Sequence, residues 1–184
     1  MEFTPLAPNG PVLMTPKVFG DERGFFMETF RQNEFEAHCG PYTFVQDNHS
    51  KSRQGVLRGL HYQLRQPQGK LVRVMRGQVF DVAVDLRVSS PTFGKSFSAT
   101  LDEQNRQMLW VPPGFAHGFL VLSEEAEFAY KCTSYYAPDD EYSLRWDDAT
   151  AAVQWPLLAS GPLLSAKDEQ GMTWAECPKY ICEV

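Results

Sequence analysis

The chain has 184 residues, of which 43% are apolar and 22% charged, enough to bury a full core and too apolar for wholesale disorder. A net charge of −6 excludes a general nucleic-acid or membrane surface, which needs excess Lys and Arg. It leaves room for a nucleotide held by a few local cations. Thirteen prolines, thirteen glycines and 13% aromatic residues lean toward strands and turns rather than helices. Cys39, Cys132, Cys177 and Cys182 form no close C-x-x-C pair, no N-terminal stretch resembles a signal peptide, and no run approaches a membrane span. Four reduced thiols in a cytoplasmic protein are expected.

No internal repeat or low-complexity linker divides the chain, so residues 1–184 read as one domain. Residues 1–45 form an N-terminal extended segment and short helix, and residues 143–184 a C-terminal wrapping segment. Within 1–30, Pro5, Pro8, Pro11 and Pro16 precede a turn at Asp21-Glu22-Arg23-Gly24, and Phe25–Phe30 reads as a strand. Gln32–His38 is a short helix ended by Gly40, and strand character returns from Phe44. Leu71–Val74 and Val79–Leu86 are strands joined by a turn at Arg76-Gly77. In the second of them Phe80, Val82, Val84 and Leu86 share one face, while Val79, Asp81, Ala83 and Asp85 share the other. That acid-bearing face is suited to lining a polar cavity. Further strands are expected at Lys95–Leu101, Gln107–Val111, Gly118–Val121 and Glu127–Tyr135, with short helices and loops after Tyr142. Many short strands at close spacing imply a double-sheet jelly roll.

His61 and His117 stand where a small cupin-type barrel places metal ligands. Such a barrel shows His-x-His and then a Glu before a closing glycine. Here Gln63 takes the second His position, and Lys70, ahead of Gly77, takes that of the Glu. A cation replaces a group that would bind a cation, which points to metal-free acid–base chemistry with Lys70 supplying the positive charge. His61 is then a candidate general base near neutral pH. In a strictly extended strand Arg58 and His61 face apart, unless Gly59 bends the chain. Each residue alone has a plain structural alternative. His61, or His117 in its Pro-Pro-Gly loop, is equally a hydrogen-bonded structural histidine. Arg23, Arg58 and Lys70 are equally solvated cations, and Phe26, Tyr130 and Tyr136 core aromatics. His38 and His49 read as surface or core residues. The order and spacing of the set carry the signal.

With those residues in view, the chain resembles the dTDP-4-dehydrorhamnose 3,5-epimerase family from about Gly20 to Gly171. The resemblance rests on Asp21-x-Arg23-Gly24-x-Phe26, Gln46-Asp47-Asn48-His49-Ser50, Val56 through Gln63 and Gln68-Gly69-Lys70-Leu71-Val72. It continues through Gly77 to Arg87, Trp110 to Phe119 and Leu164-Ser165-x-Lys167-Asp168. It implies a cupin-type jelly roll acting as a homodimer, with no cofactor and no metal. The implied reaction is epimerisation of dTDP-4-dehydro-6-deoxy-D-glucose at C3 and C5, on the route to dTDP-L-rhamnose. Both carbons flank the C4 ketone, so loss of either proton yields an enolate with its charge on O4. Carbon acids are far weaker than imidazolium, and each pKa unit of mismatch is about 1.4 kcal/mol uphill. A base alone is therefore insufficient, and a fixed cation aimed at O4 is worth about 3–4 kcal/mol.

By position, the resemblance implies that His61 is the base, Asp168 its partner, Tyr130 the acid on the opposite face and Lys70 the oxyanion holder. Asp81 is the alternative partner for His61. Arg58 and His117 match substrate-contacting positions. Arg23, Phe26, Glu28, Gln46, Asn48, Tyr136, Glu141 and Lys167 match positions binding the nucleotide or its diphosphate. The Arg23–Glu28 segment is expected to reach the neighbouring subunit's site. The rivals are an epimerase acting at C3 or C5 alone, a metal-dependent cupin such as a dioxygenase, and a non-catalytic sugar-nucleotide-binding barrel. Two His with Gln63 and Lys70 make a poor divalent site, and the presence of His61 and Tyr130 argues against a barrel without chemistry.

Overall fold

A computed structural model describes residues 1–156 and 158–181. Strands β1 (Glu2–Pro5) and β2 (Val12–Thr15) precede a hairpin of β3 (Val18–Asp21) and β4 (Gly24–Met27), then helix α1 (Gln32–Cys39). The barrel strands follow: β5 (Gln46–Arg53), β6 (Leu57–Gln63), β7 (Lys70–Arg76), β8 (Gln78–Asp85), β9 (Ser96–Asp102), β10 (Met108–Val111), β11 (Phe115–Val121) and β12 (Glu125–Cys132). A 3₁₀ turn at Pro138–Asp140 leads into β13 (Glu141–Ser143), and α2 (Ala166–Glu169) lies in the C-terminal stretch.

The strands form two stacked sheets, ordered β1-β2-β10-β7-β12-β5 and β13-β6-β11-β8-β9, with β3–β4 apart as a two-stranded ribbon. This is the mainly β, double-sheet sandwich that the many short strands imply. Three apolar layers hold it. Between the sheets, Val72, Val74, Leu109, Val111 and Phe128 meet Val79, Ala83, Leu101, Phe115, Phe119 and Val121. On the outer side of the first sheet, Val12, Met14, Leu71, Met108 and Trp110 are covered by Phe35 of α1. On the outer side of the second, Leu60, Tyr62, Val82, Val84 and Leu86 are covered by Leu144, Ala151, Cys177 and Tyr180. The C-terminal stretch is also tied down by parallel bridges at Val56–Leu163, Leu144–Met172 and Arg87–Tyr180.

The structure corrects several sequence boundaries. The first thirty residues are four short strands rather than extended chain with one. The expected Phe25–Phe30 strand stops at Met27, and Glu28 instead bonds Arg31 at 2.7 Å. The Glu127–Tyr135 strand spans Glu125–Cys132. His117 lies inside β11 and not in a loop, because the reversal is complete at Gly114, whose φ of +94° a side chain would oppose. Strand β8 is buried on both faces. Asp85 is drawn out of the expected cavity lining, because its carboxylate accepts bonds from Arg87, Ser90 and Thr92. Cys39, Cys132 and Cys177 are free thiols, and Cys182 lies outside the described residues.

Candidate active site

The site lies between the sheets, where the apolar filling gives way to polar side chains. Its first wall is β6 against β11. On β11, His117 and Phe119 are two residues apart and share a face; their partners on β6, His61 and Arg58, are three apart. A bulge absorbs the extra residue and turns Arg58 and His61 to the same inward side. Gly59 makes this possible. Its φ is +123°, and a Cβ there would lie 2.5 Å from the Gly118 Cα and 2.8 Å from the His117 carbonyl oxygen. The two backbones approach so closely that only glycine fits.

Helix α2 delivers the carboxylate that meets His61. His61 Nε2 is 2.6 Å from Asp168 Oδ1. Ser165 caps the helix by accepting from the Asp168 amide, and its hydroxyl donates to Asp168 Oδ2 at 2.7 Å. The Gly59 amide also donates to Oδ1, at 3.4 Å. Burial pushes the Asp168 carboxyl up, but bonds from His61 and Ser165, the His61 charge and the Gly59 amide together hold it below the usual carboxylate range. With Nε2 engaged, Nδ1 is the His61 nitrogen left for a substrate.

A second pair stands beside the first. His117 Nε2 is 2.9 Å from Asp81 Oδ1, and both residues are buried. Asp81 Oδ2 has no partner among the described residues. Burial raises the Asp81 carboxyl above its ordinary value, and His117 and Lys70 only partly oppose this. Of the two carboxylates considered for His61, the fold gives it Asp168 and gives Asp81 to His117.

The facing wall comes from the first sheet. Lys70 of β7 pairs in register with Cys132 of β12, and Tyr130 of β12 with Val72 of β7 and Asn48 of β5. Among the described residues Lys70 Nζ has no hydrogen bond or ion pair. Burial lowers the Lys70 ammonium from its ordinary value, while Cys132, Glu141 and Asp81 act to keep it charged. The Tyr130 phenol is raised, first by burial and then by Cys132, with Arg58 opposing. Lys70, without a protein partner among the described residues, and the Tyr130 phenol thus come from the sheet opposite the one that carries His61.

The rim is a chain of polar contacts. Gln46 accepts from the Tyr136 amide at 2.9 Å and donates to Asn48 at 3.1 Å. The Tyr136 hydroxyl donates to Glu141 at 2.7 Å, and Lys167 forms an ion pair with the same carboxylate. Asn48 also donates to Cys132 Sγ at 3.7 Å, and Arg58 to Ser52 Oγ at 3.0 and 3.1 Å. Three expected site residues are not brought here. Arg23 is bound to Asp21, Phe26 is 70% exposed, and Glu28 is bound to Arg31. All three stand on or just after the β3–β4 hairpin.

Some contributors escape a residue-by-residue reading. Gln63, notable in the sequence for not being a metal ligand, is a clamp. Its amide donates to the Gln66 and Tyr135 carbonyls at 2.8 and 3.1 Å and accepts from the Ala137 amide at 2.9 Å, which fixes the turn carrying Tyr136. Ser165 supports Asp168, and the Ser-x-x-Asp spacing before α2 is a helix-start signal that marks it. Among the described residues no three His, Cys, Asp or Glu side chains converge as a metal cage would require.

A family model for dTDP-4-dehydrorhamnose 3,5-epimerase matches residues 5–176. A protein of that name from Pseudomonas aeruginosa is 55% identical over 96% of this chain and 97% of its own length. One from Shigella flexneri is 54% identical over 92% of this chain and 94% of its own length. The Legionella pneumophila dTDP-6-deoxy-D-glucose-3,5-epimerase, solved with dTDP-4-keto-L-rhamnose, superposes with a TM-score of 0.95 at 45% identity. That superposition covers 100% of this chain and 99% of that one.

Proposed function

Because the chain belongs to the dTDP-4-dehydrorhamnose 3,5-epimerase family, we propose how its own residues invert C3 and C5 of dTDP-4-dehydro-6-deoxy-D-glucose to give dTDP-4-dehydro-L-rhamnose. The enzyme is an isomerase of dTDP-rhamnose biosynthesis. His61 Nδ1 takes the proton from the carbon beside the ketone, and Asp168 stabilises the imidazolium that forms. The electron pair moves onto O4, where the Lys70 ammonium meets it without first giving up a protein partner. Tyr130 returns a proton to the other face of the same carbon.

The observation that carries this reading is the placement of base and acid on opposite walls. His61 comes from the inner face of one sheet and Tyr130 from the inner face of the other, with Lys70 on the acid's side. Inversion requires removal on one face and delivery on the other, so a base and acid on one wall would only return the starting configuration. Arg58 and His117 contact the sugar. Gln46, Asn48, Tyr136, Glu141 and Lys167 form the nucleotide end of the cleft.

The working unit is a homodimer. The β3–β4 hairpin exposes Phe19, Phe25 and Phe26, an apolar surface suited to a second copy. Arg23, Phe26 and Glu28 then complete the neighbour's nucleotide pocket rather than their own. No described helix is long and apolar enough to cross a membrane, and a nucleotide-sugar substrate puts the reaction in the cytoplasm.

The test is incubation with dTDP-4-dehydro-6-deoxy-D-glucose in D₂O, following the sugar by NMR and mass. Deuterium at both C3 and C5 is expected. Label at one carbon alone would make the enzyme a monofunctional relative, and no label on any 4-keto nucleotide sugar would overturn the assignment.

A further inference from the structure

If Arg23, Phe26 and Glu28 complete a neighbour's pocket, the β3–β4 ribbon must stand at a fixed angle to its own sandwich. The ribbon has little of its own to fix it. It pairs with neither sheet, and Val18, Phe19, Phe25 and Phe26 belong to none of the three apolar layers. A two-stranded ribbon without packing is marginally stable in water.

The turn between β9 and β10 holds it at two points. The turn is itself well ordered: Asp102 Oδ1 accepts from the Gln104 and Asn105 amides at 2.8 and 2.6 Å, and Asn105 Oδ1 from the Gln107 amide at 3.0 Å. Gln107 Nε2 donates to Thr15 Oγ1 at 3.1 Å, where the chain leaves β2 for the ribbon. Arg106 lays its guanidinium over the Phe25 ring, with Cζ 4.2 Å from the ring centroid. The φ of Arg106 is +52°, a region that residues other than glycine seldom occupy. Its Nη1 donates to the Gln104 carbonyl at 3.3 Å, and its Nε is buried with no hydrogen-bond partner among the described residues. The π face of Phe25 is what this guanidinium meets instead. Phe25 otherwise stays exposed.

Alternation carries the effect across the ribbon. Phe25 and Met27 share one face of β4, so Phe26 lies on the other, beside its register partner Phe19. Gripping Phe25 therefore turns Phe26 away from the chain that carries it. The ribbon also departs beyond the Met108 end of β10, whereas Lys70 pairs with Val111 at the opposite end of that strand.

We propose that Arg106 is a positioning residue for the neighbouring subunit's nucleotide pocket, holding Phe25 so that Phe26 and the Arg23 turn face the second copy. The inference rests on the reading that these residues serve the partner's site. Arg106 itself acts only through the ribbon, so its loss falls on binding and not on the proton transfers.

The experiment measures dTDP affinity by calorimetry, with kcat and KM for deuterium exchange, in the parent and in Arg106→Ala, Arg106→Lys and Phe25→Leu. Arg106→Ala and Phe25→Leu should each weaken dTDP binding and raise KM by about three- to fivefold, with kcat within about twofold of the parent. Arg106→Lys keeps a cation over the ring and should stay near the parent. In an Arg23→Ala/Phe26→Ala background, Arg106→Ala should add nothing, because the ribbon's contribution is already gone. Parental affinity in Arg106→Ala and Phe25→Leu, beside weakened binding in Arg23→Ala/Phe26→Ala, overturns the grip alone. Full additivity in that background, or a loss confined to kcat, also overturns it, because either marks a general structural defect. Parental affinity in Arg23→Ala/Phe26→Ala overturns the intersubunit reading and the grip with it.

Discussion

Two histidine–aspartate pairs lie side by side in the second half of the sandwich, built from the same two side chains and serving opposite ends. His61 keeps 25% of its side chain exposed, while His117 keeps 7%. Asp168 has both oxygens bonded, by His61, Ser165 and Gly59; Asp81 has one oxygen bonded and one bare. The first carboxyl is held low and the second is driven up, though both are buried. What separates them is the number of donors. A buried carboxylate is a usable counter-charge when hydrogen bonds replace its lost water, and a liability when they do not. The pair with the fully bonded carboxylate and the more open ring suits the proposed base, and the other suits a ring held in place.

The largest expected effect breaks this contrast at the rings. His61→Asn removes the base and should slow deuterium exchange at both carbons by about 10⁴-fold, the upper end of general-base contributions, with dTDP affinity nearly kept. His117→Asn should act mainly on KM, since the role proposed for that ring is to contact the sugar without taking its proton. Steady-state kinetics with exchange measured in parallel checks both. Exchange at either carbon surviving in His61→Asn would mean that the two inversions do not share a base.

A smaller effect is expected at the carboxylates. Asp168→Asn keeps a side chain of the same shape but cannot offset the imidazolium charge, and kcat should fall by about 10² or more. Asp81→Asn should cost under about tenfold, expressed in KM, because Asn still offers His117 an acceptor. The comparison is sharpest as a ratio of the two kcat values. Equal losses would show that the bare carboxylate also serves the chemistry, through its reach to Lys70.

How far these roles can be read from sequence follows the same line. The strands of the middle and the inward Val79-Asp81-Ala83 face follow from alternation alone. His61 and Lys70 stand out because Gln63 and Lys70 break a metal-binding pattern. The orientation of Arg58 defeats alternation, since period two places it opposite His61 and only the Gly59–Gly118 approach and its bulge reverse that. The choice between Asp168 and Asp81 is likewise hidden, because the partner of residue 61 comes from 107 positions away.

The smallest effect is on stability, and there the two pairs should differ in sign. Asp168 titrates below its ordinary value of 3.8 in the folded protein, so the unfolded chain binds its proton more readily. Its contribution is fully present above pH 3.8 and is lost as pH falls through the lowered value. Asp81 titrates above 3.8, so its contribution is present below that pH and is lost as pH rises through the raised value. Thermal denaturation from about pH 2 to 9 separates them. Asp168→Asn should flatten the acid side of the profile, and Asp81→Asn should raise Tm relative to the parent as pH climbs. The expected size is about 1 kcal/mol, or roughly 2–4 °C for a chain of this length. A parent whose Tm fell with rising pH exactly as fast as that of Asp81→Asn would mean that Asp81 is not the strained member, and its bare oxygen would then need a partner that the fold itself does not supply.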